Sequence, residues 1–321
     1  MLHPGDAPGP PFPRHFDGAR FYNPDGRRAL GLAQVFRWKL FSRPERSPAF
    51  LSDVEQSVPL GRVEDGSLRI TLVNHSTVLL QHRGCNLLTD PIWSERASPL
   101  SWIGPRRRRK PGVSWEHLPP IDIVLISHDH YDHLDLPTLR RLAARGDSTF
   151  IVPARVAPRL RSASIGPAHE LDWGESLSLR GFTIHCVPAH HFSGRGINDR
   201  NTTLWCGYAI ESRENLVYFA GDTAFGDHFS RIRQKFGPPR LALLPIGAYE
   251  PRWFMSPVHM APEEAVGAHR ILGAQTSIAI HHGTFQLSDE AIDTPKRKLA
   301  AALASKDSFL VLDNGQSLTL A

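Results

Sequence analysis

The segment His128-Asp129-His130-Tyr131-Asp132-His133 follows directly on the apolar run Ile121-Asp122-Ile123-Val124-Leu125-Ile126-Ser127. The run reads as a buried strand, so the cluster sits at a strand end. Histidine and aspartate are poor strand-interior residues and costly to bury unpaired. A divalent cation removes that cost, because each imidazole nitrogen or carboxylate oxygen gains a bond to a large local charge. His128 and His130, two apart, can turn to the same side of an extended segment. Asp132 and His133 lie one turn further on and can serve a second ion. One ion takes about four ligands, so such a chain must bring further donors to the same place.

Three later segments fit that requirement: Val187-Pro188-Ala189-His190-His191-Phe192-Ser193-Gly194, Val217-Tyr218-Phe219-Ala220-Gly221-Asp222-Thr223, and Ile278-Ala279-Ile280-His281-His282-Gly283-Thr284. Each is an apolar, strand-like run that ends in His or Asp next to a small residue. Open sheets put their chemistry at strand ends, on loops held still by a rigid scaffold.

Around these motifs the chain alternates strands and helices. Strands are expected at 69–73, 77–81, 86–89, 122–127, 149–152, 183–187 and 205–210, then at 216–220, 241–245, 277–280 and 308–312. Helices are expected at 136–145, with Pro137 in the first turn, near 227–235, at 262–272 and near 294–304. Residues 1–48 are rich in Pro, Gly and Arg, with one short amphipathic stretch at 30–41. That stretch reads either as a cap on the body or as an interfacial, lipid-entry element.

Composition narrows the class. A chain of 321 residues, 41% of them apolar, can bury a sizeable core as one large domain or two. It has no apolar run of about eighteen residues and so no spanning helix. Residues 1–10 lack the basic-then-apolar pattern of an export signal. Cys85, Cys186 and Cys206 are too few and scattered for a disulfide framework; they read as small buried hydrophobes in a reducing cytoplasm. Much of the net charge of +5 lies in Arg106-Arg107-Arg108-Arg109-Lys110. This run reads first as a solvated loop. The second reading is a patch for anionic lipid head groups or phosphate, each basic residue being worth about 1 kcal/mol at such a surface. Only Trp102 and Trp115 flank it, which disfavours nucleic acid. The chain has neither a Gly-x-Ser-x-Gly nucleophile elbow nor a P-loop.

The order His-x-His-x-Asp-His, His, Asp, His resembles the metallo-β-lactamase superfamily. Within it, the chain is similar to the phospholipase D-like enzymes that hydrolyse N-acyl-phosphatidylethanolamine. The narrower likeness is carried by Leu88-Thr89-Asp90-Pro91-Ile92-Trp93 with Arg96-Ala97-Ser98-Pro99, by Ser127 through Asp135, by Pro245-Ile246-Gly247-Ala248-Tyr249-Glu250-Pro251-Arg252-Trp253-Phe254-Met255, and by Pro262-Glu263-Glu264-Ala265.

That resemblance, with two β-rich halves and helices outside them, implies an α/β (α+β) four-layer αββα sandwich over 49–321, with 1–48 as an N-terminal extension. It implies two divalent ions, with zinc best suited to histidine and carboxylate and iron or manganese as alternatives. His128, His130 and His191 would hold one ion, Asp132, His133 and His281 the other, and Asp222 would bridge them. His191 is preferred to His190 because relatives carry His-Phe or His-Trp at this point. His281 is preferred to His282 although a second histidine stands where relatives have an aromatic residue. Asp90 would orient a ligand imidazole, Asp129 would point away or buttress, and His75 would be structural or orienting.

Tyr131 and His259 are further catalytic candidates beside Asp132 and Asp222, His259 through the phosphoryl or leaving group. Tyr249 and a mobile Arg195 are candidates for substrate contact, and Glu250 and Arg252 for a loop-fixing ion pair. The implied activity is hydrolysis of a phosphodiester, most simply an N-acyl-ethanolamine phospholipid, by hydroxide held between the ions. Lactone or β-lactam hydrolysis at the same centre and metal binding without turnover are the alternatives. The implied partners are a small-molecule or lipid substrate and peripheral contact with the inner membrane face.

Overall fold

Two hairpins set the pattern. In the computed structural model, which describes residues 12–51, 56–146 and 148–321, β1 (Leu68–Asn74), β2 (Thr77–His82) and β3 (Cys85–Thr89) run antiparallel. The turn from β2 to β3 is Arg83-Gly84, with φ of 48° and 72°. The turn from β7 (Ser176–Leu179) to β8 (Phe182–Val187) is Arg180-Gly181, with φ of 48° and 81°. A two-residue hairpin of this type takes both central residues left-handed to match the strand twist, and glycine takes one of them without strain.

Parallel strands follow in each half, and each needs a crossover. In the first half, β4 (Ile123–Leu125), α2 (Leu136–Ala143), β5 (Thr149–Pro153), α3 (Ala157–Ser162) and β6 (Ala168–Leu171) follow an N-terminal α1 (Leu32–Phe41). In the second, β9 (Gly207–Glu211) pairs antiparallel with β10 (Leu216–Phe219). Then come α4 (His228–Phe236), β11 (Leu241–Pro245), α5 (Arg252–Met255), α6 (Pro262–Leu272), β12 (Thr276–Ile280), α7 (Thr294–Ala302) and β13 (Phe309–Leu310). The last strand, β14 (Ser317–Leu320), returns to the first half and pairs with β1. The sheets are seven-stranded, in the orders β14-β1-β2-β3-β4-β5-β6 and β13-β12-β11-β10-β9-β8-β7. Each passes from antiparallel to parallel strands midway, so the halves repeat one plan.

Alternation along the strands sorts the layers. Leu80, Leu87, Ile123, Leu125 and Ile151 face the second sheet and join Ile184, Tyr208, Val217, Leu243 and Ile278 in one core. Their neighbours Leu79, Leu88, Val124, Phe150 and Val152 face outward beneath Leu139 and Leu142 of α2 and Leu160 of α3. Helices α4 and α6 cover the second sheet through Phe229, Ile232, Val266 and Leu272. This is the four-layer αββα sandwich.

Strands β6, β7 and β14 and helices α3 and α5 are additions to the sequence reading. The three strands lie on sheet edges, where sequences such as Ser176-Leu177-Ser178-Leu179 bury little and carry a weak apolar signal. The strand expected from residue 205 starts at Gly207, because the backbone N–H groups of Leu204 and Cys206 donate to Ala154 O and Ser127 O of the first half rather than to a neighbouring strand.

Part of the N-terminal extension shares the main core, through Phe12 and Phe21. Residues 1–11, on which the export-signal reading rests, lie outside the described residues. Among the described residues no helix is long and apolar enough to cross a membrane. The three cysteines are buried and unpaired.

Candidate metal centre

The expected donors come from both sheets. The loop after β4 carries His128, His130, Asp132 and His133; His191 follows β8, Asp222 follows β10, and His281 follows β12. Their tips meet. His130 Nδ1 is 2.8 Å from His128 Nε2 and 3.2 Å from His191 Nε2. Asp132 Oδ2 is 3.3 Å from both His133 Nε2 and His281 Nε2. Between these groups lies Asp222, its Oδ2 3.2 Å from His133 Nε2, 3.1 Å from His281 Nε2 and 3.8 Å from His191 Nε2. His259, on the loop before α6, brings Nδ1 to 4.0 Å from the same oxygen.

This donor set fits cations. Asp222 Oδ1, His133 Nε2 and His259 Nδ1 are buried and make no hydrogen bond, which is expensive without a partner. Burial pushes His130 down to about 4 and His191 to about 3, and holds His128 and His259 far below the usual histidine value. Burial opposes ionisation of Asp132 and Asp222. The charge of His133 and hydrogen bonds from the facing imidazoles nevertheless hold both carboxyls well below the usual range. His128, His130 and His191 are thus neutral and both carboxyls ionised, as metal binding requires, whereas, despite its burial, Asp222, Asp132 and Asp90 hold His133 well above the usual histidine value. Against the pull of burial, Asp222 and its neighbours raise His281 to about 9. The cluster thus favours positive charge between its two carboxylates.

Comparison with known proteins agrees. The "Beta-lactamase superfamily domain" family matches residues 85–282. An N-acyl-phosphatidylethanolamine-hydrolyzing phospholipase D 1 of Caenorhabditis elegans is 36% identical over 310 residues, covering 89% of this chain and 87% of that protein. An uncharacterized protein of Mycobacterium tuberculosis is 39% identical over 299 residues, covering 90% and 79%. The chain belongs to the beta-lactamase superfamily, among the relatives of N-acyl-phosphatidylethanolamine-hydrolyzing phospholipase D. It is a metal-dependent hydrolase. The solved isothiocyanate hydrolase from Delia radicum gut bacteria has the same fold, with a TM-score of 0.63 at 21% identity, covering 78% of this chain and 98% of that one.

The superfamily loop is braced from below. Asp90, at the end of β3, accepts from Ser127 N (2.7 Å) and Ser127 Oγ (2.6 Å) and lies 2.6 Å from His133 Nδ1. It therefore fixes which nitrogen of His133 faces Asp222. Asp129 points away from the cluster, accepting from Gly194 N at 2.8 Å and pairing with Arg159 Nε at 2.7 Å. His190 also turns away, toward Asp25 (3.3 Å) and the ring of His228 (centroids 4.4 Å apart). His282 likewise leaves the cluster, its Nε2 3.3 Å from Ala279 O. His281 reaches it because its backbone is left-handed, at φ 58°. The chain passes so close at Gly247 that a Cβ there would run into the His281 carbonyl.

Four readings are corrected. The Tyr131 hydroxyl donates to Arg195 O at 2.9 Å and does not reach the cluster. Arg195 is not mobile: its guanidinium donates to Asp129 O (2.8 Å) and Leu134 O (2.9 Å) and lies 3.8 Å over the Tyr131 ring. Tyr249 is fully buried and does not line the cavity above the cluster, so substrate contact is closed to it. Arg252's guanidinium pairs with Glu264 (2.8 Å) and Glu250 with Lys298 (3.4 Å); between the two residues the bond is from Arg252 N–H to the Glu250 carboxylate (3.1 Å), not an ion pair.

Three residues of the basic run are tied to the body of the protein. Arg107 is buried and donates to Ser94 O (2.9 Å) and Ile92 O (3.2 Å), Arg108 donates to Pro48 O and Ala49 O, and Arg109 lies 3.5 Å from Asp313. Its carbonyl-binding guanidinia tie segments together. His75, expected as a structural or orienting residue, brings its Nε2 to 3.0 Å from Asp132 Oδ2.

Proposed function

We propose that the protein is a dinuclear phosphodiesterase of phospholipase D type, acting on N-acyl-phosphatidylethanolamine-like phospholipids. The observation that carries this reading is the cavity above the cluster. It measures ≈ 670 Å³, exposes His130, Asp132, Asp222, His259 and His281, and is walled by Leu30, Val35, Phe36, Trp38, Phe192 and Phe254 among others. Apolar walls around a few converging polar groups suit a substrate with acyl chains and one reactive polar linkage.

Two divalent cations, zinc by donor chemistry with iron or manganese as alternatives, would supply Lewis acidity and a hydroxide near neutral pH. His128, His130 and His191 would hold one, Asp132, His133 and His281 the other, with Asp222 serving both. His259 stays neutral in its buried position and reaches the cavity, so its one N–H can donate a hydrogen bond to a phosphoryl or leaving-group oxygen.

The cavity rim supports access from a bilayer. Phe36, Leu40 and Phe41 of α1 are 74%, 77% and 72% exposed, and Ile197 is 89% exposed. Arg37 and Lys39 lie beside them, over Trp253 and Trp38 respectively. Apolar side chains flanked by cations suit an anionic lipid surface. On this reading the protein would make peripheral contact with the inner face of the membrane, from the cytoplasm.

The test is a panel of N-acyl-phosphatidylethanolamine, bis(p-nitrophenyl) phosphate, a lactone and a β-lactam, each with and without chelator. The expected result is chelator-sensitive cleavage of the first two. Cleavage of the lactone or β-lactam alone would replace this reading with carbonyl hydrolysis at the same centre.

A further inference from the structure

His75 occupies the two-residue turn between β1 and β2, with φ of 46°. A left-handed backbone is uncommon for a residue other than glycine, and it persists only where surrounding contacts hold it. Those contacts all run toward the second ion's side of the cluster. The His75 N–H donates to Thr284 Oγ1 at 3.0 Å, and its carbonyl accepts from His281 N at 3.0 Å. Its ring packs 4.2 Å from the His281 ring and edge-on to Phe285. The side chain is 1% exposed, and only Nε2 has a partner: Asp132 Oδ2 at 3.0 Å. A neutral imidazole has one N–H to give, and a carboxylate only accepts, so the proton belongs on Nε2. His75 is absent from the cavity wall, so no substrate atom meets it.

We infer that His75 is a positioning residue: by donating Nε2–H to Asp132 Oδ2, it sets the orientation of that carboxylate and so the affinity of the Asp132/His133/His281 site for its cation. The inference rests on the two-ion reading of the centre. His75 lies in the group with Asp132, His133 and His281 whose donor atoms converge closely enough for a cation, but with Nε2 carrying its proton toward Asp132 it acts on the site through that carboxylate rather than as a ligand. Groups that orient a ligand typically change metal affinity by about 10–100-fold. The effect is local, because His128, His130 and His191 make no contact with His75 within the hydrogen bonds and ring contacts described.

The experiment is Co2+ titration of the metal-free full chain, followed by its visible d–d bands and by competition with a chelator. His75→Phe keeps ring packing and removes the donor; His75→Gln shortens the packing and keeps a donor. The expected result for His75→Phe is about 10–100-fold weaker binding of one of two ions, with the other unchanged. His75→Gln should recover part of that loss. Two ions bound by His75→Phe as tightly as by the parent protein would overturn the inference, as would recovery by Phe and not by Gln, or equal weakening at both sites. A parent protein that binds only one ion sinks the two-ion reading instead, and failure on every phosphodiester sinks the substrate reading while leaving the titration interpretable. If His75→Phe does not fold, Thr284→Val loosens the turn from outside the cluster, and the same one-site weakening is expected.

Discussion

The two halves of the chain reach the metal centre by different means. The first half delivers His128, His130, Asp132 and His133 on a single loop, braced by charged and hydroxyl side chains: Asp90 with Ser127 and His133, Asp129 with Arg159, and Arg195 on the loop carbonyls. The second half delivers His191, Asp222, His259 and His281 from four separate connections, held by strand register and close backbone approach. One cluster is preassembled locally, whereas the other exists only once β8, β10, β11 and β12 are in place. The second half is therefore the more sensitive to packing, and the first to loss of its polar braces.

The comparison breaks most severely at Asp222, the one side chain both subsites address. Asp222→Ala is expected to lose both ions and to reduce turnover on the order of 10³-fold, or several kcal/mol of transition-state stabilisation. Elemental analysis with steady-state kinetics checks this. Asp132→Asn should lower turnover by orders of magnitude with the fold intact by circular dichroism; unchanged rates would remove the second ion from the mechanism.

Next is packing in the second half. Gly247→Ala must push the His281 carbonyl aside, destabilising the fold by about 1–3 kcal/mol and weakening one ion only. Denaturant unfolding and metal titration read the two effects separately. Smaller is the loss of a first-half brace. Arg159→Ala leaves the buried Asp129 carboxylate with only the Gly194 amide, at about 2 kcal/mol, and should loosen the loop as seen by amide exchange.

The smallest effect lies outside the site. Burial raises the Asp122 carboxyl, but hydrogen bonds from Arg62 (2.5 Å) and Asn86 N outweigh it and hold the pKa below the usual carboxylate value. A depressed folded pKa gives stability that is full above the unfolded value of about 3.9 and is lost as pH falls through the folded value. Arg62→Ala should flatten the acid limb of the unfolding midpoint, measured between neutral pH and acid; an unchanged limb would remove this pair from the pH dependence.

Legibility followed the same division. The first-half cluster could be read because its donors are adjacent and follow an apolar strand. The later donors could be read as a set because each ends an apolar run in His or Asp, but their division between two ions, and the choice of His191 over His190 and His281 over His282, came only through the family likeness. His75 was the hardest to value: its role depends on meeting Asp132 and His281, which are distant in sequence. Arg107 misled because five adjacent cations suggest solvent, whereas its guanidinium is consumed by backbone carbonyls. Edge strands β7 and β14 alternate Ser or Thr with Leu over four residues only, too short a signal beside the continuous apolar runs of β4 and β11.

The most direct test is anomalous diffraction from crystals of the zinc-loaded protein. The account predicts two peaks, one among His128, His130 and His191 and one among Asp132, His133 and His281, with the Asp222 carboxylate touching both. A single peak, or peaks away from these side chains, would contradict it.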